Sequence, residues 1–391
     1  MSLKTNLIES VKKSSVLYTI YYYTMSVFVN VMKIFVRTDP KLILFVSYGG
    51  RYYNDSPKVL YEEMQKDQRF SEYKFVWAFR TPENIELPGQ GEKVKIDTLN
   101  YYKIALKSRV WITNVMIERA LKFCGKDTFY LHTTHTVFPK KMALDSTKGK
   151  DFKTKNRLQY DYSCAQSEFE GQMQMSMFGL NENQILLSGY PKNDLLANAK
   201  TTDCERAREK LGIPKGKKVI LYAPTYREDN PSIMVSNVDF NKWESILGED
   251  YFVLYRAHPT VADMTNITAS SSFIKNVSRY PDNVEIMLAS DILISDYSGI
   301  FFEYAVLERP MYCYGFDYDQ YTKSRELYFD IRDEIPGGRL TERDLLIKIK
   351  EGYLKADYKK LEKFRKKYVN IYGNATQICL NKIWESISLE K

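Results

Sequence analysis

Three histidines occur in the 391 residues, and all lie in two short segments. His132 and His135 fall in Leu131-His-Thr-Thr-His-Thr-Val-Phe-Pro-Lys-Lys141, and His258 falls in Arg256-Ala-His-Pro259. Imidazole is the side chain whose ordinary pKa lets it both take and give a proton near neutrality. Each segment follows an apolar, strand-like run and sets the imidazole beside Arg, Lys, Thr or Pro, surroundings that mark a candidate reaction site. His135 is trailed by Lys140 and Lys141, and nearby positive charge disfavours imidazolium. It is the expected general base, in the neutral state needed to take a proton from an attacking hydroxyl. His258, beside Arg256, is the second expected catalytic residue, where charge must be stabilised.

Further segments fall at strand ends or turns. Thr225 and Arg227, in Ala223-Pro-Thr-Tyr-Arg227, put a hydroxyl and a guanidinium after an apolar run and suit an anionic ligand. Ser295, Asp296, Ser298 and Gly299 lead from a strand end into a helix whose free N–H groups can receive phosphate, with Glu303 about one turn on to reach ribose hydroxyls. The same Ser-Asp-Tyr-Ser also reads as an ordinary helix cap. Asn193 and Asp194 close Ser188-Gly-Tyr-Pro-Lys-Asn-Asp194, a turn that either shapes a cleft or is simply a tight Gly-Tyr-Pro bend. The loop Gly49-Gly-Arg-Tyr-Tyr-Asn-Asp-Ser-Pro57 lies at another strand end and can line the same cleft. No Walker A loop, G-x-G-x-x-G, G-x-S-x-G or H-E-x-x-H occurs, which leaves transfer chemistry run by side chains, with no metal and no cofactor expected.

The elements that must position these groups alternate. Apolar runs at Leu42–Ser47, Tyr73–Phe79, Val110–Thr113, Thr128–Leu131 and Tyr160–Ser163 are separated by helical segments such as Pro57–Gln65. After the polar stretch Lys200–Lys218 a second series begins, with runs at Lys217–Ala223, Tyr251–Tyr255, Asp291–Ser295 and Pro310–Tyr314. Such alternation predicts α/β architecture: parallel sheets covered by helices, with ligands beyond the carboxyl ends of the strands. Length favours two domains, and the expected division is 1–37, 38–200 and 201–391. Five scattered cysteines without a C-x-x-C pair argue against a zinc site or a disulfide framework. The net charge of +8 calls for an anionic partner: a phosphorylated substrate, acidic lipid or nucleic acid. No nucleic-acid-binding module pattern is present, so nucleic acid is not expected. Val16–Phe35 is apolar and aromatic but interrupted by polar residues, too weak for a spanning helix. It reads as a helix in the headgroup region, with Lys12 and Lys13 toward acidic lipid, or as an amphipathic helix packed on the protein.

These motifs together resemble the CDP-glycerol glycerophosphotransferase family of wall teichoic acid synthesis, over nearly everything from Leu42 onward. Gly189-Tyr-Pro-Lys-Asn-Asp194 is similar to the family's G-Y-P-R-N-D, and Tyr222-Ala-Pro-Thr-Tyr-Arg227 to Y-A-P-T-W-R. Arg256-Ala-His-Pro259 follows R-x-H-P, and Ser295 to Tyr304 follows T-D-Y-S-S-V-M-F-D-Y. Arg51 to Lys58 tracks Y-S-D-N-P-K, and Arg309-Pro310 its R-P. Around the base, the W-H-G-T-P-L-K pattern keeps His135 and Lys140 but not the Gly-Thr-Pro between them. The resemblance implies a GT-B-like fold of two Rossmann-type domains facing a cleft, with the donor held by the second and a final helix crossing back. It implies transfer of glycerol phosphate from CDP-glycerol to a hydroxyl of an undecaprenyl-linked saccharide or growing polymer, with release of CMP. Peripheral attachment to an anionic membrane, at its cytoplasmic face, goes with that reading. His135 would be the base, and Arg256 and His258 would meet the diphosphate. Thr225, Arg227, Ser295, Asp296, Ser298, Gly299, Glu303, Lys140, Asn193 and Asp194 would contact substrate. A CDP-ribitol or other CDP-polyol donor, and a GT-B glycosyltransferase, are the alternatives.

Overall fold

The structure, a computed structural model, describes residues 15–119, 121–135, 138–147, 159–227, 238–258, 269–352 and 355–388. Lys12, Lys13 and Pro259 lie outside the described residues. The first half contributes strands β1 (Asp39–Val46), β2 (Lys74–Phe79), β3 (Glu92–Lys95), β4 (Ser108–Thr113), β5 (Phe129–His132), β6 (Tyr162–Ala165) and β7 (Ile185–Leu187). The second contributes β8 (Lys218–Tyr222), β9 (Tyr251–Tyr255), β10 (Ile274–Asn276), β11 (Ile292–Ser295) and β12 (Met311–Cys313). The first set forms a seven-stranded parallel sheet in the order β3-β2-β1-β4-β5-β6-β7, and the second a five-stranded parallel sheet, β10-β9-β8-β11-β12. In each, the chain starts mid-sheet, runs out to one edge, then returns to build the other side. The order therefore reverses between β1 and β4, and between β8 and β11, and such reversal points open the crevice in which ligands bind.

Both sheets are buried on both faces, as parallel sheets require. In β1, Leu42, Leu44 and Val46 enter one core, while Ile43 and Phe45 enter the opposite one. In β8, Val219 and Leu221 face one way and Ile220 and Tyr222 the other. The covering helices are α1 (Ser15–Phe35), α2 (Asp55–Met64), α3 (Leu99–Lys107), α4 (Glu168–Phe178) and α5 (Pro191–Ala197), then α6 (Thr201–Lys210), α7 (Phe240–Leu247) and α8 (Asn283–Ala289). Next come α9 (Ile300–Tyr304), α10 (Tyr318–Ser324), α11 (Ile331–Glu334), α12 (Glu342–Glu351), α13 (Lys355–Tyr368) and α14 (Ala375–Ser388).

Two segments tie the lobes together. The stretch after His135 leaves the first sheet and docks on the second lobe. Phe138 is buried in that lobe's core, Tyr328 N–H donates to the Pro139 carbonyl at 2.9 Å, and Lys141 N–H to that of Glu326 at 2.8 Å. In the other direction, α14 buries Cys379, Leu380 and Ile383 among the strands of the first sheet.

Helix α1 packs one face on the first sheet, burying Tyr22 and Val29. Asn30 and Lys33 fasten it by donating to the carbonyls of Lys122 and Cys124, at 2.7 and 2.9 Å. Its opposite face, Val16, Ile20, Tyr23, Val27, Val31 and Ile34 at three- and four-residue spacing, is apolar and exposed, Ile34 to 78%. Among the described residues no helix is long and apolar enough to cross a membrane.

Candidate active site

Three strand ends of the first sheet build one wall of the cleft. Val46 pairs with Thr113 and Thr113 with His132, so the loops after β1, β4 and β5 leave the sheet at one level. Asn114 organises them. Its side-chain oxygen accepts from Tyr48 N–H at 2.8 Å, and its main-chain carbonyl meets His135 Nδ1 at 2.9 Å. A carbonyl only accepts, so neutral His135 carries its proton on Nδ1 and leaves Nε2 as the basic nitrogen. Tyr48 packs edge-on against the imidazole at 5.6 Å, from a left-handed backbone (φ 45) that non-glycine residues rarely adopt. Burial pushes the His135 pKa down, against the opposing pull of the Asn114 carbonyl. His132, by contrast, lies in the core, stacked on Tyr160 at 4.2 Å and bonded to Ser163 Oγ at 2.9 Å. Burial drives its pKa down to about 3, so it stays neutral as a packing group.

Beside His135 lies a buried cation with two carboxylates. Lys192 Nζ is 3.0 Å from Asp55 and 2.9 Å from Glu303, and its side chain is 7% exposed. Asp55 opens α2 in the first lobe, Lys192 lies on α5, and Glu303 lies on α9 of the second lobe, so the cluster bridges the two. Tyr48 Oη donates to Asp55 at 2.9 Å, which links it to the imidazole wall. Burial raises the Asp55 carboxyl and the ammonium outweighs it, so its pKa lies below the usual carboxylate value. Lys192 is held above its ordinary value in the same way, burial being overcome by the two carboxylates. Gly189 makes the turn into α5 possible: it has φ +76, and a Cβ there would sit 2.5 Å from the Ile371 carbonyl oxygen.

The facing wall comes from the second sheet. Arg256, just past β9, donates through Nη1 to the carbonyls of Val277 and Tyr280, both at 3.0 Å. Burial lowers its pKa against the pull of Asp282 and Glu303 in the same lobe, and Tyr48 and Tyr52 lie within electrostatic reach across the cleft. His258 is exposed and stacks on Tyr226 at 5.0 Å. Arg227 is buried between Asp296 and Asp317, with N–O distances of 2.8 Å to each, and lies against the rings of Tyr297 and Tyr321. Asp296 also accepts from the backbone N–H groups of Thr225 and Tyr297, at 2.9 and 2.6 Å. Ser295 Oγ donates to the Ala223 carbonyl at 2.6 Å. These residues lock the loops after β8 and β11 to each other. The Thr225 hydroxyl is buried with no partner among the described residues.

The expected site residues thus divide. His135, Glu303 and Arg256 gather about the cleft, with His258 on the loop beyond Arg256. Ser295, Asp296 and Arg227 spend their polar atoms on one another and on neighbouring backbone. Ser298 Oγ accepts from Ile300 N–H at 3.3 Å, and Gly299 precedes a helix of only five residues. Asp194 caps α14, accepting from the N–H groups of Ala375 and Thr376 at 3.0 and 2.7 Å. Asn193 donates to Gln166 at 3.3 Å, and Lys140 bridges by backbone to Leu327. Sequence reasoning missed Tyr48, Asp55, Asn114 and Lys192. The signal for Lys192 and Asp55 was present: a lysine in a strand-end turn and an aspartate in a strand-end loop, both in motifs already singled out.

Two parallel sheets reversing order at facing crevices, with an imidazole on one wall and an arginine on the other, define an α/β protein of the doubly wound class, in which ligands bind at such reversals. The chain matches the CDP-Glycerol:Poly(glycerophosphate) glycerophosphotransferase family over residues 28–385, and it belongs to that family. It is 33% identical over 78% of its length to a teichoic acid poly(glycerol phosphate) polymerase of Staphylococcus epidermidis, and spans 44% of that relative. It is 31% identical over 79% of its length to a teichoic acid glycerol-phosphate transferase of Staphylococcus aureus, covering 83% of it. A solved structure of the wall teichoic acid polymerase TagF superposes with a TM-score of 0.83 at 28% identity, covering 99% of each chain. A match to a ribitol-phosphate polymerase is shorter, at 50% of this chain.

Proposed function

We propose that this protein transfers glycerol phosphate from CDP-glycerol to a hydroxyl of a lipid-linked saccharide or polyol-phosphate chain in teichoic acid synthesis. The two lobes stand in a GT-B-like arrangement, residues 38–200 forming the acceptor side and 201–391 the donor side, with the terminal helix α14 crossing back onto the first lobe. The observation that carries the reading is the His135–Asn114 pair, in a chain of this family: a neutral imidazole with Nε2 left basic at the mouth of the cleft. The acceptor oxygen bonds to the glycerol-bearing phosphorus while its proton passes to His135 Nε2. The bridging P–O bond breaks, and its electron pair leaves with CMP. Arg256 and His258 face the diphosphate, where positioning and charge lower the barrier. Thr225, with its unpartnered hydroxyl, and the Ser298–Gly299 backbone complete the donor side. Glu303, Asp296, Ser295 and Arg227 act by positioning, as do Asn193, Asp194 and Lys140.

Glycerol is preferred to ribitol because the glycerol-phosphate relatives match over more of the chain. The exposed apolar stripe of α1 supports peripheral attachment to an anionic membrane at its cytoplasmic face, where a helix lying in the interface buries such a face. The test is incubation with CDP-glycerol or CDP-ribitol and a synthetic lipid-linked disaccharide. A product heavier by glycerol phosphate, together with CMP, is expected; CMP release with CDP-ribitol alone would reject the glycerol assignment.

A further inference from the structure

On the outer side of Tyr48 the same wall carries arginines that the transfer step above does not use. Arg51, Arg80 and Arg119 follow β1, β2 and β4 and converge on the loop Tyr48-Gly49-Gly50, next to the order reversal of the first sheet. Arg80 Nε donates to the Gly49 carbonyl at 3.1 Å. A Cβ placed on Gly49 would lie 3.1 Å from Arg119 Nη1 and 3.7 Å from Arg80 Nη2, so two guanidiniums meet over a residue that has no side chain to separate them. Arg119 is forked onto Asp97, at 2.8 and 3.0 Å. Arg51 and Arg80 have no carboxylate partner among the described residues. Among the described residues the cluster keeps a surplus of positive charge: burial lowers the Arg80 pKa, the repulsion of Arg51 and Arg119 adds to it, and Asp97 and Tyr52 offset it only in part. A scaffold gains nothing from this, since like charges crowded together cost stability unless an anion joins them. Two neighbours say where the anion comes from. Tyr21 of α1, the helix with the exposed apolar stripe, lies within electrostatic reach of Asp97 and Arg119. On the other side, Tyr48 touches His135.

We propose that Arg51, Arg80 and Arg119 form an anion site that takes a phosphate or diphosphate group of the acceptor substrate, between the α1 face and His135. The inference rests on the transferase reading and extends it to the acceptor. Guanidinium forks suit phosphate oxygens bidentately. Anchoring the acceptor through its phosphate over Gly49, the residue next to Tyr48, would hold its hydroxyl on the side of the proposed base.

The test uses the full chain and two soluble acceptors, a short-chain prenyl-diphosphate disaccharide and the same disaccharide on a neutral alkyl group. Binding is measured by calorimetry and turnover by CMP release. Arg51→Gln, on an exposed and unpartnered side chain, leaves the fold alone; Arg80→Gln and the double variant follow. Each lost charge should weaken the diphosphate acceptor roughly tenfold, in Kd and in KM, while CDP-glycerol and the neutral acceptor hold their values. Arg80→Lys should recover part of the loss. An unchanged Kd for the diphosphate acceptor in the double variant, or an equal loss for both acceptors, overturns the proposal. So does a loss confined to partition onto phosphatidylcholine vesicles containing phosphatidylglycerol, which would assign the cluster to lipid headgroups. If the unaltered protein releases no CMP, the transfer reading fails, and the calorimetric comparison still decides this one.

Discussion

Two buried clusters in this molecule have the same charge arithmetic, one cation between two carboxylates, and different work. Arg227 with Asp296 and Asp317 lies wholly in the second lobe and is enclosed by Tyr297 and Tyr321. Its guanidinium also donates to the Thr225 carbonyl, so that all three nitrogens are engaged. Lys192 with Asp55 and Glu303 instead joins elements of both lobes and is continued by Tyr48 to the edge of His135. The first cluster can only hold loops in place. The second also sets the electrostatic surroundings of His135, the proposed base, because a buried charge acts through a low effective dielectric. The lesson is that burial and pairing do not separate scaffold from machinery; what the cluster borders does.

The largest effect expected is on His135, which borders the second cluster. His135→Ala should lower kcat by roughly two to four powers of ten, with unfolding unchanged. A variant keeping near-normal CMP release would dissolve the distinction between the clusters. Next in size, Arg227→Met and Lys192→Met should each cost about 3–5 kcal/mol in chemical denaturation, since each strands two buried carboxylates. A Lys192→Met protein as stable as the parent would mean that the interlobe cluster is not a structural tie. The pH profile sharpens the contrast further. The lowered pKa of His135 places the acid limb of kcat/KM below the ordinary histidine value of about 6.5. Lys192 disfavours imidazolium, so its loss eases protonation and moves that limb to higher pH. Arg227→Met should leave the limb where it was, and equal movement in both variants would erase the comparison. The smallest effect is that of Tyr48→Phe. It removes one hydrogen bond to Asp55, worth about 1.5–3 kcal/mol to a charged acceptor, and should act on stability more than on rate.

Most strands were legible in the sequence because a parallel sheet buried on both faces makes continuous apolar runs. The strands the periodicity did not reveal are β3, β7 and β10, and each is a sheet edge. Edge strands are short and pack on fewer neighbours; in β3, Glu-Lys-Val-Lys, a single side chain is buried. The candidate site was legible as motifs at strand ends but not as roles. Arg227 stood out as an anion ligand because it follows a strand, and only folding brings Asp296 and Asp317 around it, 69 and 90 residues away in the chain. Asp194 stood in a turn motif and proves to cap α14, whose first residues lie 181 and 182 positions further on.

From local order alone the chain determined its α/β alternation, the strand-end position of both histidine segments and the apolar character of α1, all properties of periodicity and spacing within a few residues. Tertiary structure decided which of the polar side chains at those ends are consumed and which are left for a ligand. That choice depends on partners from distant segments and on the burial they share, and a hydrogen bond or ion pair made across such distances leaves no trace in the local sequence.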